Sequence, residues 1–241
     1  MSELAKAFNK SIRDRLQVHA AWLPIVNTFE IGEYGIFDNG IFQSLGNLKS
    51  KYPDVNLDVK TGDTAEIDFS SAGIRRTKLD AAGNTASTFA SLGNAEATLK
   101  LHFDKKNSNV IKAKLTSTEL KNIDEIANFL GRKRDWRKRF CVVSKVYRGE
   151  QCVVICSKEA GTEIAIKASA DVLRQIEAGK VSGGFEFTSN NNSEFKSVGE
   201  TGVLAIKLFK LNLFNRLKVL AGTEAATAVD VPATEEQPDD Y

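Results

Sequence analysis

The sequence predicts an α+β fold: a large, mostly antiparallel twisted sheet with an N-terminal amphipathic helix and a few short helices. Segments in which apolar and polar residues alternate recur along most of the 241-residue chain, and turn residues separate them. Apolar residues at helical spacing occur only in a few short stretches. The chain has 42% hydrophobic and 27% charged residues, the composition of an ordinary globular protein with a real core.

The N-terminal helix is predicted over residues 3 to 18. Apolar residues follow one another at i, i+4 spacing from Leu4 to Leu16, which is typical of a helix packed on a core. The other faces of the helix are basic, and this second pattern is that of a helix lying on anionic lipid. The basic residues are Lys6, Lys10, Arg13 and Arg15.

Two β-hairpins are predicted next. Asp38-Asn39-Gly40 predicts a tight turn, because Asn-Gly readily adopts the positive φ angles of a primed turn. Residues 96 to 116 alternate between apolar and polar on both sides of a polar turn, which predicts a long hairpin with one apolar face. A membrane-crossing strand needs about 9–11 such residues, so this segment is a candidate membrane hairpin. Its apolar positions are Leu99, Leu101, Phe103, Ile111, Ala113 and Leu115.

A helix is predicted near residues 118 to 130, and residues 132–139 after it form a dense basic collar around Trp136. Six like charges in eight residues cannot be buried without partners, so the collar is expected to face water, anionic lipid or nucleic acid. Trp136 is expected to pack on the sheet, to anchor at the headgroup level of a membrane, or to stack on a base. The basic residues of the collar are Arg132, Lys133, Arg134, Arg137, Lys138 and Arg139.

The remaining body is predicted to be mostly β-structure. Strands at 140–147 and 151–157 are expected to be joined by a turn at Arg148-Gly149-Glu150. A short helix is predicted within ADVLRQIEAG, and a hairpin is predicted around the Asn residues at 190–192. The segment GVLAIKLFKLNLF predicts the last long strand.

Charge is unevenly distributed along the chain. All 33 Lys and Arg residues lie at or before Lys218, whereas residues 221–241 contain six acidic residues and no basic one. We therefore predict a single α+β domain at 1–220 and a disordered acidic tail at 221–241. A basic body favours anionic partners, and the tail is expected either to act as a solubilising segment or to compete with those partners.

The sequence shows no arrangement typical of catalysis. It contains no G-x-S-x-G, H-E-x-x-H or P-loop motif, and its only histidines are His19 and His102. We therefore expect no enzyme, no bound metal and no cofactor. Three cysteines and no secretory signal favour buried thiols in the cytoplasm. The chain also lacks the familiar nucleic-acid-binding motifs, so nucleic acid is the less favoured partner.

The order of these elements resembles the pore-forming domain of gasdermins. The resemblance is carried by residues 96–116, by FCVVSKVYRGEQCVVICS at 140–157, and by residues 183–211 with the strand GVLAIKLFKL. It implies a cytoplasmic, non-enzymatic effector of the kind used in defence, which is recruited to the inner face of the cell membrane and oligomerises as a pore. The alternatives are a non-catalytic interaction domain and a nucleic-acid-binding protein that uses the basic collar.

Overall fold

Most of the chain forms β-strands in the computed structural model, which describes residues 3–181, 183–190 and 194–220. The acidic tail lies outside the described residues. The elements are α1 (Glu3–Leu16), β1 (His19–Ala20), β2 (Glu33–Asp38), β3 (Ile41–Asn47), α2 (Leu48–Lys51), β4 (Val59–Ser70), β5 (Ile74–Asp80), a short 3-10 helix (Phe89–Leu92), β6 (Glu96–Phe103), β7 (Ser108–Leu120), α3 (Ile123–Gly131), β8 (Phe140–Ser157), β9 (Thr162–Ser169), α4 (Ala170–Glu177), β10 (Phe185–Ser189), β11 (Glu194–Leu211) and β12 (Leu217–Leu220).

The larger sheet is built on β8 and β11, which pair antiparallel along nearly their whole length. The other edge of β8 pairs with β2 over its first residues and with β7 over the rest. β3 extends the sheet beyond β2, β4 extends it beyond β7, and β1 and β12 pair with β11. A second sheet has the order β10-β9-β6-β5. Every pairing is antiparallel, and with the N-terminal helix in place the predicted α+β fold is confirmed.

The prediction that residues 96–116, the candidate membrane hairpin, form a hairpin is wrong. Both strands exist, but β6 pairs with β5 and β9, whereas β7 pairs with β4 and β8 in the other sheet. Alternation of apolar and polar residues specifies which face of a strand is buried, but it does not specify which other strand pairs with it. All six apolar positions are buried, three against α4 and three against α1: Leu99, Leu101, Phe103, Ile111, Ala113 and Leu115.

Two other predicted hairpins are also wrong. β8 continues through Arg148-Gly149-Glu150, where its pairings with both neighbours shift register and Gln151 adopts a φ of 50°. This is a β-bulge, whose glycine and polar residues give the same sequence signal as a turn. The predicted hairpin at 190–192 also fails, because β10 and β11 lie in different sheets. Residues 191 and 192 themselves lie outside the described part of the chain.

The two N-terminal predictions are confirmed. α1 covers residues 3 to 16, and its apolar face packs on the larger sheet, with Phe8 and Ile12 completely buried. The turn between β2 and β3 has φ of 51° at Asn39 and 82° at Gly40, as the Asn-Gly pair predicts. The register places this turn near the start of β8 and the end of β11, because Cys141 pairs with both Gly35 and Lys210.

Candidate anion-binding cleft

A cleft of about 740 Å³ lies at this end of the larger sheet, between α1, the β2–β3 turn and the β11–β12 hairpin. α1 is held beside the cleft by its buried apolar face and by a hydrogen bond in which the backbone N–H of Ala20 donates to Asn9 Oδ1 at 2.8 Å. Burial of one face of the helix leaves the opposite, basic face turned toward the cleft. The apolar face of the helix therefore packs on the core, and its basic face lines the cleft.

Positive side chains converge on the cleft from three regions that are distant in sequence: α1, the end of the collar and the β11–β12 hairpin. Lys210 and Lys218 are directly opposite each other on β11 and β12, so both project from the same face of the hairpin. Asp38 is the one acidic side chain among the described residues that line the cleft. The basic lining residues are Lys6, Lys10, Arg13, Arg139, Lys210 and Lys218.

This arrangement can hold an anion. Charges of one sign along a concave, low-dielectric wall concentrate the electric field and raise the local concentration of counter-ions. Lys and Arg supply several donors each to phosphate or carboxylate oxygens. The lining is therefore suited to phosphate-bearing or carboxylate-bearing ligands.

His19 lies against the cleft with only 6% of its surface exposed. Its ring packs on Phe37, with 4.3 Å between the ring centroids, and neither ring nitrogen makes a hydrogen bond. Burial, and secondarily the positive charge of Arg13, lowers the pKa of His19 to about 4, while the Leu220 carbonyl acts in the opposite direction. His19 is therefore neutral near pH 7.

Three of the four predicted basic residues of α1 belong to the cleft, and one does not. Lys6, Lys10 and Arg13 line it, and Lys6 also forms an ion pair with Glu3 at 2.8 Å. Arg15 instead places its guanidinium over the ring of Phe69, 4.8 Å from the centroid. The helix therefore provides its own control position for any test of the cleft.

The basic collar is split by the fold. Arg139 reaches the cleft, whereas Arg132, Arg134 and Arg137 are exposed away from it and Lys138 is half-buried. Lys133 packs over the ring of Phe129, 4.3 Å from the centroid. Of the six basic residues that the sequence groups together, Arg139 is the one in the described lining of the cleft.

Asp135 fixes the collar to α2 and the loop after it. Lys51 approaches Asp135 at 2.7 Å, and the hydroxyl of Tyr52 donates to the same carboxylate at 2.9 Å. These two partners, Lys51 first, hold the pKa of Asp135 below its ordinary value. Part of the charge in the collar therefore serves the fold rather than a ligand.

Trp136 is 7% exposed and lies in the core beneath the collar. Its ring packs against Tyr34 and Phe140, with centroid distances of 5.7 and 5.4 Å. The packing alternative is the one found in the structure, and the assignment of Trp136 as a membrane or anion contact is corrected. The neighbouring basic residues are exposed because the chain turns sharply on either side of the ring.

Sequence reasoning missed three residues of the cleft: His19, Lys210 and Lys218. The two lysines are eight positions apart on strands whose pairing is not visible in the sequence. His19 follows the helix directly, but only its burial against Phe37 distinguishes it from a surface histidine. The basic stripe of α1 and Arg139 at the end of the collar were the signals in the sequence that pointed to this end of the molecule.

Two further kinds of feature are absent from the described part of the chain. No group of three or more His, Cys, Asp or Glu side chains there is placed to hold a metal ion. The described helices include none with the length and apolar character needed to cross a membrane. The three cysteines are buried and free.

No protein-family model and no curated protein matches the chain. Comparison of structures finds a bacterial gasdermin from Bradyrhizobium tropiciagri, with 12% identity, a TM-score of 0.34 and 85% of each chain covered. It also finds gasdermin A3 in its membrane pore, with 11% identity, a TM-score of 0.34, and 90% of this chain and 93% of that chain covered. The resemblance to gasdermins predicted from the sequence is thus found again by structure. The similarity is weak and assigns no role to any residue of this chain.

Proposed function

We propose that the protein binds the anionic surface of a membrane through the basic cleft, and that it oligomerises there as a pore-forming or membrane-perturbing effector. The observation that carries the proposal is the convergence of six cationic side chains on one concave surface with a single acidic residue in the described lining. Each Lys or Arg close to an anionic membrane contributes about 1 kcal/mol of binding free energy. Several acting together hold a protein on acidic lipid and release it at high salt.

At the collar, lipid is favoured over nucleic acid by the position of the aromatic ring. Sequence-tolerant binding of single strands combines a basic groove with exposed aromatic side chains on which bases stack. Trp136, the aromatic residue of the collar, is buried and packed on Tyr34 and Phe140. The collar therefore offers phosphate contacts without a stacking platform.

Assembly is supported by the open edges of the sheets. β4 is 12 residues long and has β7 as its one partner among the described strands. An edge strand presents unpaired N–H and C=O groups along its free side, and these groups can pair with a strand of another copy. Charged residues such as Asp63 and Glu66 on β4 oppose such pairing in water, so we expect assembly to follow binding to lipid.

The binding step is tested by charge reversal on a single helix. Lys10→Glu reverses a cleft charge, and Arg15→Glu makes the same change outside the cleft. We expect Lys10→Glu to lower affinity for phosphatidylserine-containing vesicles by at least tenfold, since a favourable charge becomes an unfavourable one. Arg15→Glu should change affinity less than threefold. Co-sedimentation with vesicles at 50 mM salt is the measurement, and equal losses in the two variants would contradict the cleft assignment.

The pore step is tested separately by dye release and by cross-linking on the same vesicles. Release that requires anionic lipid and accompanies cross-linked oligomers is the expected result. Binding without release would remove the pore part of the proposal and keep the membrane contact. Tight binding to a single-stranded oligonucleotide, with none to vesicles, would instead place the protein in the nucleic-acid class.

A further inference from the structure

The turn between β11 and β12 presents two bulky apolar side chains to solvent. Leu213 is 83% exposed and Phe214 is 81% exposed, the highest values for large hydrophobic side chains in the described part of the chain. Single exposed apolar residues are common on protein surfaces, whereas two adjacent bulky ones at the end of a hairpin form a small apolar tip.

The backbone of this turn is braced. The side-chain oxygen of Asn212 accepts hydrogen bonds from the backbone N–H groups of Phe214 and Arg216, both at 2.9 Å. The N–H of Asn212 also donates to the Arg216 carbonyl at 2.9 Å, and that of Asn215 donates to the Asn212 carbonyl at 3.1 Å. These bonds fix the turn in a form that leaves the apolar tip outside the core.

The apolar tip stands between the two basic regions. At its base, Lys210 and Lys218 form the cross-strand pair that lines the cleft, and Leu213 follows Lys210 by three residues, in the turn just beyond the end of β11. On its other side, the side chain of Asn215 donates to the carbonyl of Gly131, the residue directly before the collar. Arg216, within the turn, is exposed as well.

We propose that Leu213 and Phe214 are an interfacial anchor that enters the headgroup–acyl boundary of an anionic bilayer. This inference rests on the proposed function, because the cleft brings the molecule to the membrane and the tip then inserts. Apolar side chains ringed by Lys and Arg match that boundary, where acyl carbons lie directly beneath anionic headgroups. An acidic protein partner would satisfy the cations, but it would have to supply an apolar pocket for a tip that projects from the surface.

The anchor fixes the orientation of the bound protein. The cleft and the tip lie at the same end of β8 and β11, so contact through both directs that end of the larger sheet at the bilayer. One basic patch alone would leave the protein free to rotate about the contact. Two contacts of different chemistry hold the long strands steeply inclined to the membrane.

The first experiment places a nitrobenzoxadiazole fluorophore on Phe214→Cys and, as a matched control, on Val26→Cys. The three native cysteines are buried, so the introduced thiol is the one that reacts. Val26 is 61% exposed, and its neighbour Ile25 bonds to Val203, seven residues before Lys210 on β11 and about 23 Å away along the strand. With phosphatidylserine-containing vesicles, emission of the label at 214 should rise severalfold and be quenched by lipids spin-labelled in the acyl chain. The label at 26 should show neither effect.

The second experiment compares Leu213→Ser/Phe214→Ser with Val26→Ser. The double variant should lose about tenfold in vesicle affinity, because the apolar area that enters the membrane is removed. The Val26 variant should bind like the unmodified chain, and both variants should keep its melting temperature because the changed side chains are exposed.

Three outcomes would overturn the anchor. If the labelled protein binds vesicles while the label at 214 stays in water, the anchor proposal is wrong and the cleft proposal still stands. An emission change without lipid that grows with protein concentration would assign the tip to contact with a second copy. Absence of vesicle binding by the unmodified chain would overturn both proposals together.

Discussion

The basic cleft and the basic collar share Arg139 and contain six positive charges each, but they differ in how those charges are arranged. The charges of the cleft come from α1, Arg139, β11 and β12 and converge on a concave wall. Those of the collar fall within eight residues and spread outward around the buried ring of Trp136. Lys133 stacks on Phe129, and Asp135 is occupied by Lys51 and Tyr52.

The difference teaches that charge density along a sequence is a poor measure of charge density in space. Neighbouring residues on an irregular loop point in different directions, and some are used by the fold. Residues on a helix and on two paired strands share a face whenever the period of each element allows it. The predictions below address this difference, from the largest expected effect to the smallest.

Removal of the ring beneath the collar should have the largest effect. Trp136→Ala leaves a cavity between Tyr34 and Phe140, and it should lower the free energy of unfolding by about 3–5 kcal/mol. Urea denaturation measures this loss. Vesicle affinity of the folded variant should be unchanged, because the ring is not at the surface. A stable variant that no longer binds lipid would show that Trp136 is a membrane contact after all.

Paired charge reversals compare the two regions directly. Lys210→Glu/Lys218→Glu changes the cleft, and Arg134→Glu/Arg137→Glu makes the same net change in the collar. We expect the cleft pair to lower affinity for acidic vesicles by about 100-fold at low salt, since each reversal replaces an attraction with a repulsion. The collar pair should cost only a few-fold. Comparable losses would mean that the collar also faces the membrane.

The pH dependence of stability should distinguish the cleft from the collar, because His19 lies against the cleft and the collar has no histidine. The folded-state pKa of about 4 lies below the 6.5 of a free imidazole, so the unfolded chain binds more protons between these values. The free energy of unfolding should therefore fall from pH 7 to pH 5, by roughly 2 kcal/mol for this group. His19→Leu should remove that part of the slope in urea titrations at the two pH values. An unchanged slope would show that His19 titrates normally.

The smallest effect is expected from the acidic tail, whose structure lies outside the described residues. Deletion of residues 224–241 removes six acidic side chains and no basic one, so a competitor for the basic body would be lost. Affinity for anionic vesicles should rise a few-fold at low salt and hardly at all at 0.5 M salt, where screening acts over a few ångströms. Equal affinities at low salt would indicate a solubilising tail only.

Periodicity in the sequence predicted the elements well and their neighbours poorly. The stripe from Leu4 to Leu16 gave α1, and Asn39-Gly40 gave the β2–β3 turn. The alternation at 96–116 gave two strands with the correct buried faces, but not their assignment to different sheets. Hairpin formation is the default for adjacent strands, and only the competition among all strands for partners decides otherwise.

The sequence by itself determined the fold class, the basic face of α1 and the positions that are buried, because these depend on local periods of 3.6 and 2. The tertiary structure alone decided that Lys210, Lys218 and Arg139 join α1 around one cleft and that Trp136 lies beneath the collar. It also decided that Leu213 and Phe214 stay outside the core. These facts depend on which strands pair and in which register, and the free energy of pairing is set by contacts between segments far apart in the chain.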